Sequence, residues 1–265
     1  MSKNIKLGPI IWFFTLVLFF SFLLLPLLIL IAVSFNPTAM VFPPQGFTLK
    51  WYAEILEKPD FLAAAWSSTL IGGLTAVIST AVGVAAAVGL SSYNGRMKGP
   101  LVSVLLSPLF IPAVIVALAL LQLLMMIGLA NNLAVLVAAH VVVTLPYPVR
   151  NVMAQLTGFD RRLEEAAMTV GATRRQTLFR VTLPLLRASI VPSFITTFVL
   201  SWNNYTVSVF LANKDWVTLP LQLRAYLQYE YEPFVAAMAT ILIITSAALL
   251  FIVERTVGVS GHQRS

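Results

Sequence analysis

Six long apolar stretches dominate the pattern of hydrophobic and polar positions along the chain. They lie at residues 10–33, 66–90, 101–127, 133–149, 188–211 and 234–253. None of them contains Asp, Glu, Lys or Arg, and each approaches or exceeds the roughly 20 apolar residues with which a helix crosses a membrane. The pattern predicts an all-α membrane protein with six transmembrane helices, forming a single transmembrane domain over residues 1–265.

Two local features of these stretches predict how the helices bend and pack. Four prolines, at which a missing backbone N–H favours a kink, lie inside or at the ends of the spans: Pro108, Pro112, Pro146 and Pro148. In the second span, small residues recur every four positions, as at Ser79, Gly83 and Ala87. Such a stripe is typical both of close helix packing in lipid and of a packed gate along a pathway.

Composition and the placement of charge exclude a soluble domain and orient the helices. The chain is 59% hydrophobic and only 10% charged, which is too little charge for the surface of a soluble protein. With the N-terminus inside, 13 of the 17 Lys and Arg residues fall on inner segments, as the positive-inside rule requires. We therefore expect both termini to be cytoplasmic, and we interpret the net charge of +7 as an orientation signal, with membrane lipid and no nucleic acid as a partner.

The sequence also limits the sources of energy and catalysis. His140 is the only Asp, Glu, Lys, Arg or His residue inside the spans, whereas ion-coupled carriers place such groups within the membrane. The chain has no G-x-x-x-x-G-K-[ST] phosphate loop, no H-E-x-x-H or G-x-S-x-G motif and no cysteine. We predict no catalytic residue, no metal site and no cofactor in this chain, and energy supplied by another chain.

The longest inner segment, residues 151–187, has an internal order that a simple membrane anchor does not need. Asp160 is placed to cap a helix that begins at Arg161. Gly171 is expected to end that helix in the left-handed conformation, which other residues adopt at a steric cost. The pattern predicts a short helix that is capped at both ends.

A second short helix is predicted directly after the glycine. Thr173 and Gln176 have the spacing of a capping box, and Pro184 is expected to close the run. Two short helices joined at a glycine form a stiff element that suits docking into a cleft of a soluble partner.

The same segment carries a resemblance to a known family. It reads Glu165-Ala166-Ala167, three residues, Gly171, nine residues and Val181-Thr182-Leu183-Pro184. This spacing resembles the E-A-A-x3-G-x9-I-x-L-P signature of ABC importer permeases, with Val181 where isoleucine is usual. The stretch from Ser34 to Tyr52 and the later run T-L-P-L-Q-L-R-A-Y are similar to the second permease subunit of the spermidine/putrescine-type branch.

The resemblance implies a type I importer of the bacterial inner (cytoplasmic) membrane. In this family two homologous permease subunits form the pathway, two cytoplasmic ATPase subunits hold ATP and Mg and bind the coupling helices, and a periplasmic binding protein delivers the solute. Carried over residue by residue, the coupling positions are Glu165, Ala166, Ala167, Gly171, Ala172, Thr173, Arg174 and Arg175. Positive-inside anchoring explains Arg174 and Arg175 equally well. The chain itself is expected to be a non-catalytic subunit.

A polar stretch in the fifth span supplies candidates for lining the pathway. The candidates are Trp202, Asn203, Asn204, Tyr205 and Ser208, together with His140 and Gln122 from earlier spans. Polar groups at this depth cost free energy unless they are satisfied, so they face either another helix or a wet cavity. A lone histidine such as His140 is more often a hydrogen-bonded packing residue than a proton relay.

The resemblance implies a small polyamine-like solute of the spermidine/putrescine class. Members of that branch often carry acids in the polar stretch, whereas Asn203 and Asn204 are neutral here. The alternative solutes are an opine, an amino acid derivative or an aminophosphonate, and the alternative mechanism is a self-sufficient secondary transporter.

Overall fold

The computed structural model describes residues 7–129 and 132–261, with side chains described for residues 12–129 and 132–255. All regular secondary structure in these ranges is helical. The α-helices are α1 (Leu7–Val33), α2 (Lys50–Glu57), α3 (Pro59–Ser92), α4 (Lys98–Leu106), α5 (Ala113–Met126), α6 (Leu133–Thr144), α7 (Pro146–Thr157), α8 (Arg162–Thr169), α9 (Arg174–Thr177), α10 (Leu183–Trp202), α11 (Tyr205–Leu211), α12 (Leu219–Tyr226) and α13 (Pro233–Gly261). A 3-10 turn, Ser107–Leu109, follows α4, and a π-helical turn, Leu178–Thr182, joins α9 to α10.

Six candidate membrane spans emerge from these helices. Four helical runs are long and apolar enough to cross a membrane, namely Trp12–Val33, Pro59–Ser92, Arg174–Trp202 and Pro233–Arg255. Two bent pairs raise the number to six when each pair counts as one span: Lys98–Leu109 with Ala113–Met126, and Leu133–Thr144 with Pro146–Thr157. The predicted all-α architecture with six spans is confirmed.

The bends fall at the prolines that the sequence marks. The first pair is bent by 104°, and Pro112, which precedes α5, has an extended ψ of 129°. The second pair is bent by 41°, and Pro146 and Pro148 lie in the first turn of α7. A proline lacks the N–H that would continue the hydrogen-bond ladder, so the helix direction changes at these positions. The predicted kinks are confirmed.

The fifth span departs from the predicted range 188–211. Its helix begins at Arg174 and ends at Trp202, and α11 forms a separate element. Pro184 does not close the run, contrary to expectation, because the backbone N–H of Leu183 donates to the carbonyl of Leu178 five residues earlier. This wider π turn places Pro184 in the first turn of α10, where a missing N–H is tolerated.

The chain forms two compact units. The first contains the chain up to Pro59 together with Leu223–Ile244, and the second contains Asp60–Gln222 and the chain from Thr245 onward. In the first unit, the side chain of Asn36 donates to the carbonyl of Ala39 at 2.8 Å and accepts from the N–H of Gln45 at 2.9 Å. The indole N–H of Trp51 donates to the Asn36 carbonyl at 2.7 Å, which fixes α2 against the loop before it.

The contacts of the Lys58 ammonium join the two chain segments of the first unit. The Lys58 ammonium lies 3.1 Å from a Glu54 carboxylate oxygen and 3.4 Å from the Tyr226 hydroxyl. It also lies 4.8 Å from the centre of the Phe234 ring, and the Tyr226 hydroxyl donates to Glu232 at 3.2 Å. Partial burial by itself lowers the pKa of Lys58, because it disfavours the charged form. The hydrogen bonds to Glu54 and Tyr226 have the larger combined effect, so the pKa lies above its ordinary value.

In the second unit, the small-residue stripe of α3 packs directly against α7. A Cβ on Gly83 would lie 2.8 Å from Cγ of Pro148 and 3.2 Å from the backbone nitrogen of Val149. Ala87 belongs to a buried cluster with Val84, Val152 and Leu186. One turn before Gly83 on α3, Ser79 Oγ accepts a hydrogen bond from the hydroxyl of Thr144, the last residue of α6, at 3.3 Å. Of the two interpretations of the stripe, helix packing explains Ser79, Gly83 and Ala87.

We expect Gly83→Ala to destabilise the second unit. The added methyl group would overlap a proline ring and backbone that cannot move aside, and overpacking of this kind costs about 1 to 3 kcal/mol. The matched control is Gly73→Ala on the same helix, because nothing lies within 4 Å of a Cβ at Gly73. The midpoint of thermal unfolding in detergent should fall for Gly83→Ala alone, and equal midpoints for the two variants would contradict the close approach.

Candidate functional site

The element with the predicted coupling residues begins with α8. The Asp160 carboxylate accepts a hydrogen bond from the backbone N–H of Arg162 at 3.0 Å and pairs with the Arg162 guanidinium at 2.9 Å. The guanidinium and then this backbone N–H hold the pKa of the Asp160 carboxyl below its ordinary value. The helix begins at Arg162, one residue later than predicted, and Arg161 occupies the N-cap position without a side-chain cap bond of its own.

Gly171 ends α8 as the sequence predicts. Its φ is +96°, in the left-handed region that glycine alone adopts readily. The N–H of Gly171 donates to the Met168 carbonyl at 3.0 Å, and the N–H of Ala172 donates to the Ala167 carbonyl at 3.1 Å. This pair of bonds is a Schellman motif, which satisfies the last carbonyls of the helix. No heavy atom lies within 4 Å of a Cβ built on Gly171, so the requirement for glycine comes from the backbone.

The second helix of the element begins with the predicted capping box. The Thr173 hydroxyl accepts from the N–H of Gln176 at 3.3 Å, and the Gln176 side chain accepts from the N–H of Thr173 at 2.8 Å. The resulting α9 runs through the π turn into α10 without interruption. The element is therefore an arm attached to the fifth span, and not a separate pair of helices.

The predicted coupling residues lie together on the surface of this arm. In the chain by itself, Ala167 and Ala172 are half-buried and the other six are exposed: Glu165, Ala166, Gly171, Thr173, Arg174 and Arg175. The Arg175 guanidinium lies 6.0 Å from the centre of the Phe179 ring. The arm thus presents small apolar side chains beside charges of both signs, a surface that a soluble partner can contact.

Two contacts of the arm are not apparent from the sequence. The Arg161 guanidinium donates to the carbonyl of Ser91, at the end of α3, at 2.6 Å. The Thr182 hydroxyl donates to a carboxylate oxygen of Glu164 at 2.5 Å. The partners are 70 and 18 residues apart, so no local pattern signals either bond.

The two asparagines of the polar stretch form hydrogen bonds within the chain at a break between α10 and α11. Asn204 caps α11, since its side chain accepts from the N–H of Val207 at 2.8 Å. Asn203 donates from its side chain to the Val199 carbonyl at 3.0 Å and to Ser246 Oγ of α13 at 2.9 Å. Both amides therefore serve the backbone and the neighbouring helix at the point where α10 ends.

His140, which lies on α6, contacts residues on both sides of this break. Its Nδ1 lies 2.8 Å from Ser201 Oγ on α10, and its Nε2 lies 3.4 Å from Ser208 Oγ on α11. The Ser208 hydroxyl also donates to the Asn204 carbonyl at 2.8 Å. The imidazole is completely buried. This geometry supports the interpretation of His140 as a hydrogen-bonded packing residue.

The remaining pathway candidates do not join the His140 cluster. Trp202 is buried, stacks on Phe198 with ring centres 6.2 Å apart, and its indole N–H has no hydrogen-bond partner among the described residues. Tyr205 is partly exposed at the start of α11, and Gln122 is exposed on α5. In the described part of the chain, no three His, Asp or Glu side chains are arranged to hold a metal ion.

Comparison with known proteins assigns the chain to a family. Residues 79–258 match the family described as binding-protein-dependent transport system inner membrane component, and the chain belongs to this family. The match includes α8, Gly171, α9 and the polar break of the fifth span.

Relatives of known name match over most of the chain. It is 32% identical to the spermidine/putrescine transport system permease protein PotC of Escherichia coli (strain K12), over 87% of this chain and 88% of that protein. Identity to PotC of Haemophilus influenzae is 30%, over 92% and 95% of the two chains. Identity to the putrescine transport system permease protein PotI of Escherichia coli (strain K12) is also 30%, over 86% and 84%.

Solved structures show the same fold. A bacterial ABC transporter involved in the import of the acidic polysaccharide alginate matches with a TM-score of 0.74 at 18% identity, over 96% of this chain and 98% of that chain. The MetNI methionine ABC transporter matches with a TM-score of 0.60 at 18% identity, over 75% and 95% of the two chains. The chain is thus a multi-pass inner-membrane permease subunit of an ABC importer, which confirms the predicted class.

We expect Ser201→Ala to destabilise the protein. Removal of the hydroxyl leaves the buried Nδ1 of His140 without its shorter hydrogen bond, at a cost of about 1 to 3 kcal/mol. Ser208→Ala should have a smaller effect, because its contact with the imidazole is longer. Ser103→Ala, at an exposed position on α4, is the matched control. Thermal unfolding in detergent measures all three, and a Ser201→Ala midpoint equal to that of Ser103→Ala would refute the packing role of His140.

Proposed function

We propose that this chain is one of two homologous permease subunits of an ATP-driven importer, and that the arm formed by α8, Gly171 and α9 is the surface on which an ATPase subunit docks. One observation carries the proposal. The eight coupling residues occupy α8, the glycine turn and the start of a helical run that continues into a membrane span, and six of the eight are exposed.

The distribution of charge supports the orientation that this role needs. With both termini in the cytoplasm, 13 of the 17 Lys and Arg residues lie on the cytoplasmic side, including all those of the arm. The arm then faces the compartment that contains ATP. The opposite topology would place most of these cations outside, against the positive-inside rule.

In this proposal the steps of import are carried out by several chains. ATP and Mg bind to two cytoplasmic ATPase subunits, a periplasmic binding protein delivers the solute, and this chain forms the pathway with the second permease without catalysing a reaction. The absence of a phosphate loop from the sequence supports the placement of hydrolysis on another chain. The arm moves when its contacts with the ATPases differ between two states of the ATPase pair, because a partner shifts an equilibrium only through differential binding.

The route of that movement follows the covalent structure. Displacement of α8 passes through Gly171 to α9, and then along a helical run that ends at Trp202. Beyond it lies the break at Asn203 and Asn204, where α10 gives way to α11. Displacement of the arm thereby reaches the polar break, which we propose as the moving part of the pathway. The further pathway candidates are Trp202, Tyr205, Ser208, His140 and Gln122.

We further propose a polyamine of the spermidine/putrescine class as the solute. Support comes from 30 to 32% identity, over more than four fifths of the chain, to permeases named for spermidine and putrescine transport. Asn203 and Asn204 are neutral, and their hydrogen bonds give them a structural reason to be amides. Charge selection in this proposal rests with the periplasmic binding protein.

Co-purification and uptake test the proposal together. The chain, expressed with the other chains of its transporter, should purify with an ATPase and a second permease. Proteoliposomes containing the complex and the binding protein should accumulate labelled putrescine or spermidine only when ATP is inside with the ATPases. Stimulation of ATP hydrolysis by an opine, an amino acid derivative or an aminophosphonate in place of polyamines would reassign the solute. Uptake by this chain alone, driven by an ion gradient, would overturn the importer role.

We expect Gly171→Ala to uncouple ATP hydrolysis from uptake. A side chain at a φ of +96° strains the turn by about 1 to 2 kcal/mol, so the arm loses its defined direction. Gly158→Ala is the matched control in the same segment, because the backbone there has a negative φ and a Cβ would lie 3.9 Å from its nearest neighbour. The measurement is solute taken up per ATP hydrolysed, with membrane insertion checked by yield, and unchanged coupling in Gly171→Ala would contradict the role of the turn.

A further inference from the structure

Helix α8 is held to the rest of the second unit by very little packing. None of its side chains is fully buried. A cavity of about 480 Å³ separates it from the end of α3 and the start of the fifth span, lined by Val88, Ser92, Met168, Leu178 and Thr182 among others. Since no side chain of α8 is fully buried, polar contacts contribute to setting its position.

Two side-chain hydrogen bonds cross this gap. Arg161 reaches the Ser91 carbonyl at 2.6 Å from the solvent-exposed edge. Glu164 accepts from the Thr182 hydroxyl at 2.5 Å in a partly buried position, where Thr182 is only 2% exposed. A hydrogen bond to a charged acceptor is stronger than one between neutral groups, and low exposure protects it from competition by water.

The Thr182 end of this bond lies at a special place in the fifth span. Thr182 is the last residue of the π turn, two positions before Pro184. The turn permits the helix to continue past the proline, and single π turns of this kind recur at functional sites. The Glu164 carboxylate therefore holds α8 at the root of the span, where the helix geometry changes.

We propose that Glu164 is a positioning residue that clamps the arm to the π turn, so that displacement of α8 moves α10 instead of being lost as rotation at Gly171. The inference rests on the proposed coupling function of the arm. The covalent link alone passes through Gly171 and Ala172, between the end of α8 and the cap of α9. Glu164 and Thr182 lie 18 positions apart in the sequence, and the hydrogen bond between them braces the segment that they enclose.

The first test measures the clamp without any solute. In the purified complex, Thr182→Val removes the donor and keeps the shape of the side chain. Hydrogen exchange of the α8 amides should accelerate about tenfold, the order expected for the loss of a hydrogen bond to a charged group. Thr169→Val is the matched control, since among the described residues the Thr169 hydroxyl bonds only to the Glu165 carbonyl of its own helix. Equal exchange in Thr182→Val, Thr169→Val and the unmodified complex would overturn the clamp.

The second test distinguishes positioning from a direct contact of Glu164 with the ATPase. Glu164→Gln keeps an oxygen that accepts from Thr182 but loses the charge, so it should lose less coupling than Glu164→Ala. Glu164→Ala and Thr182→Val should each lower putrescine uptake per ATP hydrolysed by about two- to tenfold. The double variant Glu164→Ala with Thr182→Val should be no worse than either single variant. A loss in Glu164→Gln equal to that in Glu164→Ala, with Thr182→Val unaffected, would overturn the proposal in favour of a charge contact with the partner.

The two tests separate failure of this inference from failure of the proposed function. If the unmodified complex neither hydrolyses ATP in response to the binding protein nor takes up putrescine, the importer assignment or its solute is wrong, and hydrogen exchange still decides whether the clamp exists. If the unmodified complex is coupled and Thr182→Val matches it in uptake per ATP, the clamp is not part of coupling.

Discussion

The requirement that backbone N–H and C=O groups be satisfied inside lipid governs this structure. A continuous helix meets the requirement by itself, and every interruption of a span needs its own solution. At the break between α10 and α11, Asn204 caps the new helix and Asn203 bonds to the last turn of the old one. The imidazole of His140 then joins Ser201 to Ser208 across the break. The two asparagines of the polar stretch thus bond to backbone groups at the point where the helix stops.

The same requirement explains how the fifth span continues at its other end. Pro184 removes one donor, and the π turn before it shifts the hydrogen bonding so that Leu183 donates to Leu178. The arm and the span therefore form one mechanical body, with the Schellman turn at Gly171 as its joint. One end of this body carries the mostly exposed coupling candidates, and the other ends beside the buried His140. Under the proposed function, this continuity lets displacement of the arm reach the far end of the span.

Local patterns predicted those features whose cause is local. The charge-free stretches predicted the spans, Gly171 predicted a left-handed helix end, and Thr173 with Gln176 predicted the capping box. Contacts between residues far apart in the sequence could not be predicted from local patterns. Ser201 and Ser208 lie 61 and 68 residues from His140, and no sequence motif indicates that either serine contacts the histidine. The prediction that Pro184 ends the helix was wrong because the usual rule assumes an α-helix before the proline, whereas a π turn precedes it here.

The use of polar residues inside the spans bears on how an importer of this kind selects its solute. Asn203, Asn204, Ser208 and His140 are engaged with the protein's own backbone and side chains, so an exchange of any of them for a solute-specific group would weaken the fold. Under the proposed function, this favours recognition on the separate binding protein and leaves this chain to convert the movement of its arm into the opening of a path.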